Sequence, residues 1–351
     1  MTKIYSNIFD EITNFKNIIE SHRKAITGSK KFKKEAVIFS LYEDKNLVDL
    51  WKELKNMKYT PSDYIEFEVF EPKRRTIHAP RIRDKIVQFA VHNVIKEVYK
   101  NIFIRHSYAC LEERGTHAAV AQVQKNMRIC EREWGNAWIV KVDISKYFYS
   151  VNRCVLKRLY RKKIRCRRTL WLLDLIVDGS PTQEGIPLGN VTSQDFANIY
   201  LNELDQYVTR FLKVKHYVRY MDDAIAIVQT KEEAQILKKK IGAYVKKFLF
   251  LELNPKKSQI FPLSQGVNAY GFKIWTTHKK VRDCSKRTMK RRMKAMHKKF
   301  KNKEMRVQEV KNVVNSWLGH ARHSNSYNLC KKIFKNYKYI RIEGNEKFGN
   351  R

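Results

Sequence analysis

Two apolar runs, residues 217–220 and 224–228, are separated only by Met221-Asp222-Asp223. A gap this short between extended segments closes as a tight antiparallel hairpin, which puts two carboxylates at its tip. Roughly 80 residues earlier, Trp138-Ile139-Val140-Lys141-Val142-Asp143 is another apolar strand, ending in a third carboxylate. If the strands lie side by side, Asp143, Asp222 and Asp223 share one sheet rim. Crowded carboxylates repel one another and call for a cation between them. Magnesium takes carboxylate oxygens and keeps several waters, so two or three aspartates suffice when phosphates supply the remaining ligands. Taken singly, each of these aspartates reads more readily as a cap or a polar turn residue than as a metal ligand.

The 351 residues are 43% hydrophobic and 12% aromatic, enough for a core and, at roughly 150 residues per domain, for two or three lobes. Lysine and arginine number 72 against 35 acids, a formal charge of +37 that attracts polyanions, nucleic acid first. No apolar run approaches 18 residues and no secretory leader is recognisable, so a soluble, cytoplasmic protein without a membrane partner is expected. The scattered cysteines Cys110, Cys130, Cys154, Cys166, Cys284 and Cys330 contain no C-x-x-C pair and read as reduced, buried small residues.

Helical spacing covers residues 4–57, clearest in Leu47, Leu50, Trp51 and Leu54, and returns over 82–98. Between these, 64–69 is extended, and Pro72 and Pro80 bracket the basic stretch Lys73-Arg74-Arg75-Thr76-Ile77-His78, which suits a strand or hairpin presenting cations. Leu237, Ile241, Val245 and Phe248 mark one helical face within 231–249, before the Asn254-Pro255 break. Beyond about residue 276 the chain is basic and helical, with Met289, Met293, Met296 and Phe300 as a core stripe among cations such as Lys290, Arg291, Arg292 and Lys298.

Tyr220-Met221-Asp222-Asp223, preceded by Asp143-Ile144-Ser145-Lys146-Tyr147-Phe148, resembles the catalytic palm of reverse transcriptases. The likeness continues in order. Lys73, Arg75 and Ile77 match the basic segment of the fingers, and Pro187-Leu188-Gly189-Asn190-Val191-Thr192-Ser193-Gln194 matches the nucleotide pocket. Leu253-Asn254-Pro255-Lys256-Lys257-Ser258 and Tyr270-Gly271-Phe272 match the segments after the acids, the latter holding the primer end.

The resemblance implies an α+β right-hand polymerase. Fingers would span 1–62 (helical) and 63–135, the palm 136–275 with a helical insertion at 150–185, and a basic helical thumb 276–351. It implies two Mg2+ ions, for which Mn2+ may substitute, held by Asp143, Asp222, Asp223 and the Ile144 carbonyl. Lys73 and Arg75 would neutralise the triphosphate, or be solvated surface cations. Phe148 would press on the sugar and exclude a 2′-hydroxyl, or simply pack the core. Lys257, or its neighbour Lys256, would protonate departing pyrophosphate. Lys290 and Arg291 would follow the template–primer backbone. His320 and His323 read as structural or backbone-contacting groups.

Within the family, Leu188-Gly189 and Ser193-Gln194 stand where most members have Gln-Gly and Ser-Pro, and so look like the diversity-generating retroelement enzymes. Ser107-Tyr108-Ala109-Cys110, Gly115-Thr116-His117-Ala118-Ala119 and residues 317–327 point the same way. This subgroup resemblance implies cDNA synthesis from a template RNA using deoxynucleoside triphosphates, errors at template adenines serving mutagenic retrohoming, and a small basic accessory protein. A reverse transcriptase of group II intron, retron or phage-defence type, and a non-catalytic RNA-binding derivative, remain alternatives.

Overall fold

The computed structural model describes residues 4–70, 74–111, 114–335 and 337. Helices α1 (Phe9–Ile12), α2 (Phe15–Ala25), α3 (Lys34–Leu41) and α4 (Glu43–Lys55) form where helical spacing places them. The Asn14 side chain caps α2 by accepting from the Lys16 amide at 2.9 Å. Leu47, Leu50 and Leu54 bury one face of α4, while half-buried Trp51 donates its indole N–H to the Thr13 carbonyl at 3.0 Å. An antiparallel hairpin follows, β1 (Ile65–Val69) against β2 (Arg75–Ala79), with Phe67 opposite Ile77. Helix α5 (Ile82–Lys100) is the scaffold of this region, with α2 and the later helical residues 191–206 packed along it.

Contacts divide the chain into two compact units, residues 1–119 with 138–260 and residues 120–137 with 261–351. Helix α6 (Thr116–Trp134) begins in the first unit and belongs mainly to the second. In the first unit, β3 (Trp138–Asp143) leads into α7 (Tyr147–Ser150), α8 (Arg153–Arg161), α9 (Arg167–Asp178) and the long buried α10 (Val191–Gln206). Strands β4 (His216–Tyr220) and β5 (Asp223–Val228) form the expected hairpin. The sheet order is β4-β5-β3-β6, with β6 (Gln259–Pro262) as its last strand. Side by side, β3 and β5 run antiparallel with Asp143 opposite Asp223.

Helix α11 (Lys231–Leu249) opens on a capping box in which the Thr230 hydroxyl accepts from the Glu233 amide and the Glu233 carboxylate from the Thr230 amide. Its buried face corrects the sequence pattern: Leu237, Ile241 and Val245 are inside, but the stripe ends on Leu249. Phe248 is 49% exposed and rests on the Tyr244 ring, 4.9 Å between centroids. The cysteines also need correction, because Cys110, Cys154 and Cys284 are exposed; all six are free thiols, as expected.

In the second unit, β7 (Val267–Ala269), β8 (Phe272–Ile274) and β9 (Lys279–Val281) make an antiparallel meander. The α6 side chains Gln124 and Arg128 donate to the carbonyls of Trp275 (2.9 Å) and Thr276 (2.6 Å), which ties α6 to this unit. Helices α12 (Asp283–Lys301), α13 (Val307–Ala321) and α14 (Tyr327–Phe334) close a separate core of Met289, Met293, Met296, Val310 and Ile333. The methionine stripe therefore packs as its spacing indicates.

A buried and an exposed apolar position of α11 give a direct check. Ile241→Ala should cost about 2–5 kcal/mol, as buried truncations do, and Phe248→Ala about 1 kcal/mol or less. Urea unfolding of each variant measures the difference.

Candidate active site

Side chains directly opposed on neighbouring strands lie on the same sheet face, with Cβ atoms about 4.5–5.5 Å apart. The Asp143–Asp223 pairing thus puts both carboxylates on one face at the sheet rim. Asp222 occupies the β4–β5 turn beside Met221, whose φ is 53°. Lys141, two residues before Asp143 and so on the same face, reaches diagonally to Asp223 at 3.3 Å.

The segment after α11 closes the rim from the other side. Asn254 N–H donates to the Asp143 carbonyl at 2.7 Å, Ser145 N–H to the Glu252 carbonyl at 2.8 Å, and Asp143 N–H to the Ser258 hydroxyl at 3.1 Å. Ser258 is buried, and this docking carries Lys257 onto the acids: its Nζ lies 2.8 and 2.6 Å from the two Asp143 oxygens. Lys256 is exposed and is held by its backbone, the N–H donating to the Asn254 side chain and the carbonyl accepting from the Gln259 side chain.

Burial pushes Asp222 above the usual carboxylate range and Asp143 repels it further, against the pull of Lys257 and Arg75. Asp223 is pushed up to about 6 by burial, despite Lys141 and with added repulsion from Asp143 and Asp222. These are carboxylates short of positive charge, and their hard oxygens suit a divalent cation. The donor set fits such an ion, with the Lys257 ammonium standing on Asp143 as the local cation. Among the described residues no three His, Cys, Asp or Glu side chains are yet closed around one metal position.

The opposite face of the same strands carries a feature that sequence reading missed. Arg219, opposite Ala224 and fully buried, makes a forked pair with Asp205 of α10 at 2.7–2.9 Å. The same guanidinium donates to the Met221 carbonyl at 3.0 Å and the Asn198 side chain at 3.3 Å, and Tyr217 donates to Asp205 at 3.0 Å. The turn bearing Asp222 is therefore anchored from beneath. An arginine inside an otherwise apolar strand was the available signal, since such a charge demands a buried partner.

The nucleotide-pocket segment meets the β1–β2 hairpin. His78 N–H donates to the Leu188 carbonyl at 3.0 Å, and Gly189, at φ 125°, approaches His78 so closely that a Cβ would lie 2.4 Å from its carbonyl oxygen. Ile186 N–H donates to the Phe148 carbonyl at 2.8 Å, and the half-buried Phe148 ring lies edge-on to Tyr147. Leu188 is half-buried, whereas Gln194 is exposed on the first turn of α10. Arg75 is exposed and its charge is felt at Asp222; Lys73 lies outside the described residues. Ile144 is buried, its N–H donating to the Asp222 carbonyl at 3.3 Å.

Tyr270, Gly271 and Phe272 belong to the second unit. Tyr270 and Gly271 form the β7–β8 turn, both at positive φ, and the fully buried Phe272 ring stacks on His320 at 4.3 Å. Phe272 therefore presents no ring to a bound strand in this arrangement. His320 Nε2 lies 3.3 Å from the Gly271 carbonyl. Lys290 and Arg291 are exposed on α12. Among the described residues no helix is long and apolar enough to cross a membrane.

A mixed helix-and-sheet body with carboxylates on the rim of an antiparallel sheet is a right-hand polymerase fold. Solved telomerases share it: that of Candida tropicalis in complex with a fragment of telomeric RNA aligns with a TM-score of 0.51 at 12% identity, over 78% of this chain and 55% of the other. The Candida albicans enzyme aligns at 0.50 and 10% identity, over 74% and 53%. The sequence profile described as "Reverse transcriptase (RNA-dependent DNA polymerase)" matches residues 70–320, and the chain belongs to that family. Similar curated proteins include protein YkfC of Escherichia coli K12, 27% identical over 242 residues (58% of this chain, 63% of that one). The group II intron-encoded protein LtrA of Lactococcus lactis is 23% identical over 307 residues (66% and 50%). The chain thus spans about half to two thirds of the length of these relatives.

Two measurements probe this site. Arg219→Met should destabilise by about 3–5 kcal/mol by stranding the buried Asp205 charge, and adding Asp205→Asn should restore part of it; denaturant titration compares them. Because the Asp223 carboxyl is raised from 3.8 to about 6, it is still partly protonated at pH 6, and a bound cation would expel that proton. Calorimetric titration with Mg2+ in buffers of different ionisation enthalpy should show proton release at pH 6 and almost none at pH 8. By the same sign, the metal-free fold holds more protons than the unfolded chain between pH 3.8 and about 6, so this group's contribution to stability falls as pH rises through that window.

Proposed function

We propose that this chain is an RNA-directed DNA polymerase, extending a primer on template RNA with deoxynucleoside triphosphates. The observation that carries the reading is the rim itself: Asp143 registered opposite Asp223, Asp222 at the adjoining turn, and Lys257 Nζ within 2.8 Å of Asp143. Two magnesium ions, held by Asp143, Asp222, Asp223 and the Ile144 carbonyl, or manganese in their place, would supply charge stabilisation for the attacking and leaving oxygens.

The chain's own groups divide the remaining work. Arg75, with Lys73, offsets the triphosphate charge. Lys257 leaves Asp143 to give a proton to pyrophosphate, a role its position supports over Lys256. Phe148 closes on the sugar where a 2′-hydroxyl would sit, and Leu188, Gly189 and Gln194 face the nascent base pair. The Tyr270-Gly271 turn, set by Phe272 beneath it, positions the primer end, while Lys290 and Arg291 follow the backbone of the template–primer duplex. Fingers, palm and thumb correspond to residues 1–135, 136–275 and 276–351.

Within the family we favour an error-prone enzyme of a diversity-generating retroelement, miscopying template adenines for mutagenic retrohoming with a small basic accessory protein. Support comes from half-buried Leu188 and exposed Gln194 in the segment that differs from most members. The similarity to LtrA favours a second reading, a group II intron-type or other bacterial reverse transcriptase.

Primed extension on an RNA template containing all four bases, with product sequencing, separates them. Abundant errors confined to template adenines, lost together with all extension in Asp222→Asn, are expected. Accurate cDNA would transfer the chain to the second reading. No product from wild type, even with its cognate RNA and accessory protein, would remove the polymerase assignment.

A further inference from the structure

In the first unit, α5 and the residues that follow it enclose a cavity of about 500 Å³, lined by His92, Lys96, Lys100, Arg105, Tyr108 and Arg114 among others. Among the described residues its wall carries four obligate cations and one carboxylate, Glu97, which lies 3.8 Å from Lys100. His92, Lys96 and Lys100 recur every four residues along α5, a rise of about 6 Å per step, similar to the distance between neighbouring phosphates in an extended strand. Arg114 is already oriented by hydrogen bonds from its guanidinium to the Ile104 and Ser107 carbonyls, 2.9 and 3.2 Å. The cavity fits a chain of phosphates better than a single anion.

His92 connects this wall to another part of the unit. Its Nδ1 lies 3.0 and 2.8 Å from the two oxygens of Asp195, a buried carboxylate on the first turn of α10. Asp195 directly follows Gln194, so one imidazole spans the cavity wall and the turn that presents Gln194. Burial raises the Asp195 carboxyl, and His92 and Lys96 counter it.

We propose that this cavity binds the phosphate backbone of a single-stranded nucleic acid, and that the His92–Asp195 pair transmits its occupancy to the first turn of α10, adjusting how Gln194 screens the incoming nucleotide. The second half rests on the role given to Gln194 above; the first half does not. A free nucleoside triphosphate offers the same phosphate chemistry, and an acidic peptide would be drawn by the same charge.

The test uses the full chain without divalent metal, so that binding is read apart from catalysis. Affinity for a labelled 20-nucleotide single-stranded RNA is measured against salt for wild type and for Lys96→Gln/Arg105→Gln, with thermal unfolding confirming that both are folded. Losing two phosphate contacts should weaken binding about tenfold near physiological salt and lower the log–log salt slope by about 1.4, at roughly 0.7 per contact on single strands. An unchanged slope in the folded variant overturns the site. Displacement of the RNA from wild type by millimolar dATP, but not from the variant, would assign the cavity to a free triphosphate instead. Displacement by a poly-glutamate peptide of equal charge would show a general anion surface, and also overturns the proposal. For the link, Asp195→Asn, at the partner that lies outside the cavity wall, should change the misincorporation spectrum at least threefold at one template base while keeping RNA affinity within twofold. An unaltered spectrum overturns it, and a wild type that extends no primer would instead count against the polymerase reading while leaving the binding result intact.

Discussion

The alignment of β3 against β5 is the constraint on which the rest of the site depends. Side chains alternate along a strand with a period of two, so a slip of one residue would move Asp143 to the face opposite Asp223. In the register observed, Asp143, Asp223 and Lys141 share one face, and Val142, Ala224 and Arg219 share the other. One alternation therefore sorts the strand residues into a charged working face and a buried supporting face.

The supporting face limits how the turn can move. Removing both Arg219 and Asp205 from water is expensive, and their attraction offsets this only because nearly every donor and lone pair is used, by each other, by Tyr217, by Asn198 and by the Met221 carbonyl. The network ties α10, β4 and the acid-bearing turn into one piece. On the working face the charges are deliberately incomplete: burial and mutual repulsion leave Asp222 and Asp223 reluctant to ionise, while Lys257 rests on Asp143. Rigidity beneath and unbalanced charge above are what a site for cations and phosphates requires.

Much of this was readable from residue order. The strand ending in Asp143, the Met221-Asp222-Asp223 hairpin and the methionine stripe of α12 all rest on local periodicity, and all formed as the spacing indicates. The α11 stripe was misread only at its last turn, where Phe248 and Leu249 are both apolar and only packing selects between them. Composition misplaced three cysteines for a similar reason: a thiol is tolerated on either side of the surface, and nothing local directs it inward.

The pairing of Arg219 with Asp205, of Lys257 with Asp143 and of His92 with Asp195 was not readable, because each joins segments whose separation along the chain says nothing of their distance in space. By itself the sequence determined the kinds of element, the family, the acids available and the basic field around them, since these follow from short-range pattern and from summed charge. Only the tertiary structure decided which acid is opposed to which, which lysine reaches them and what lies beneath the turn, because those depend on strand register and on burial, properties that no single segment possesses.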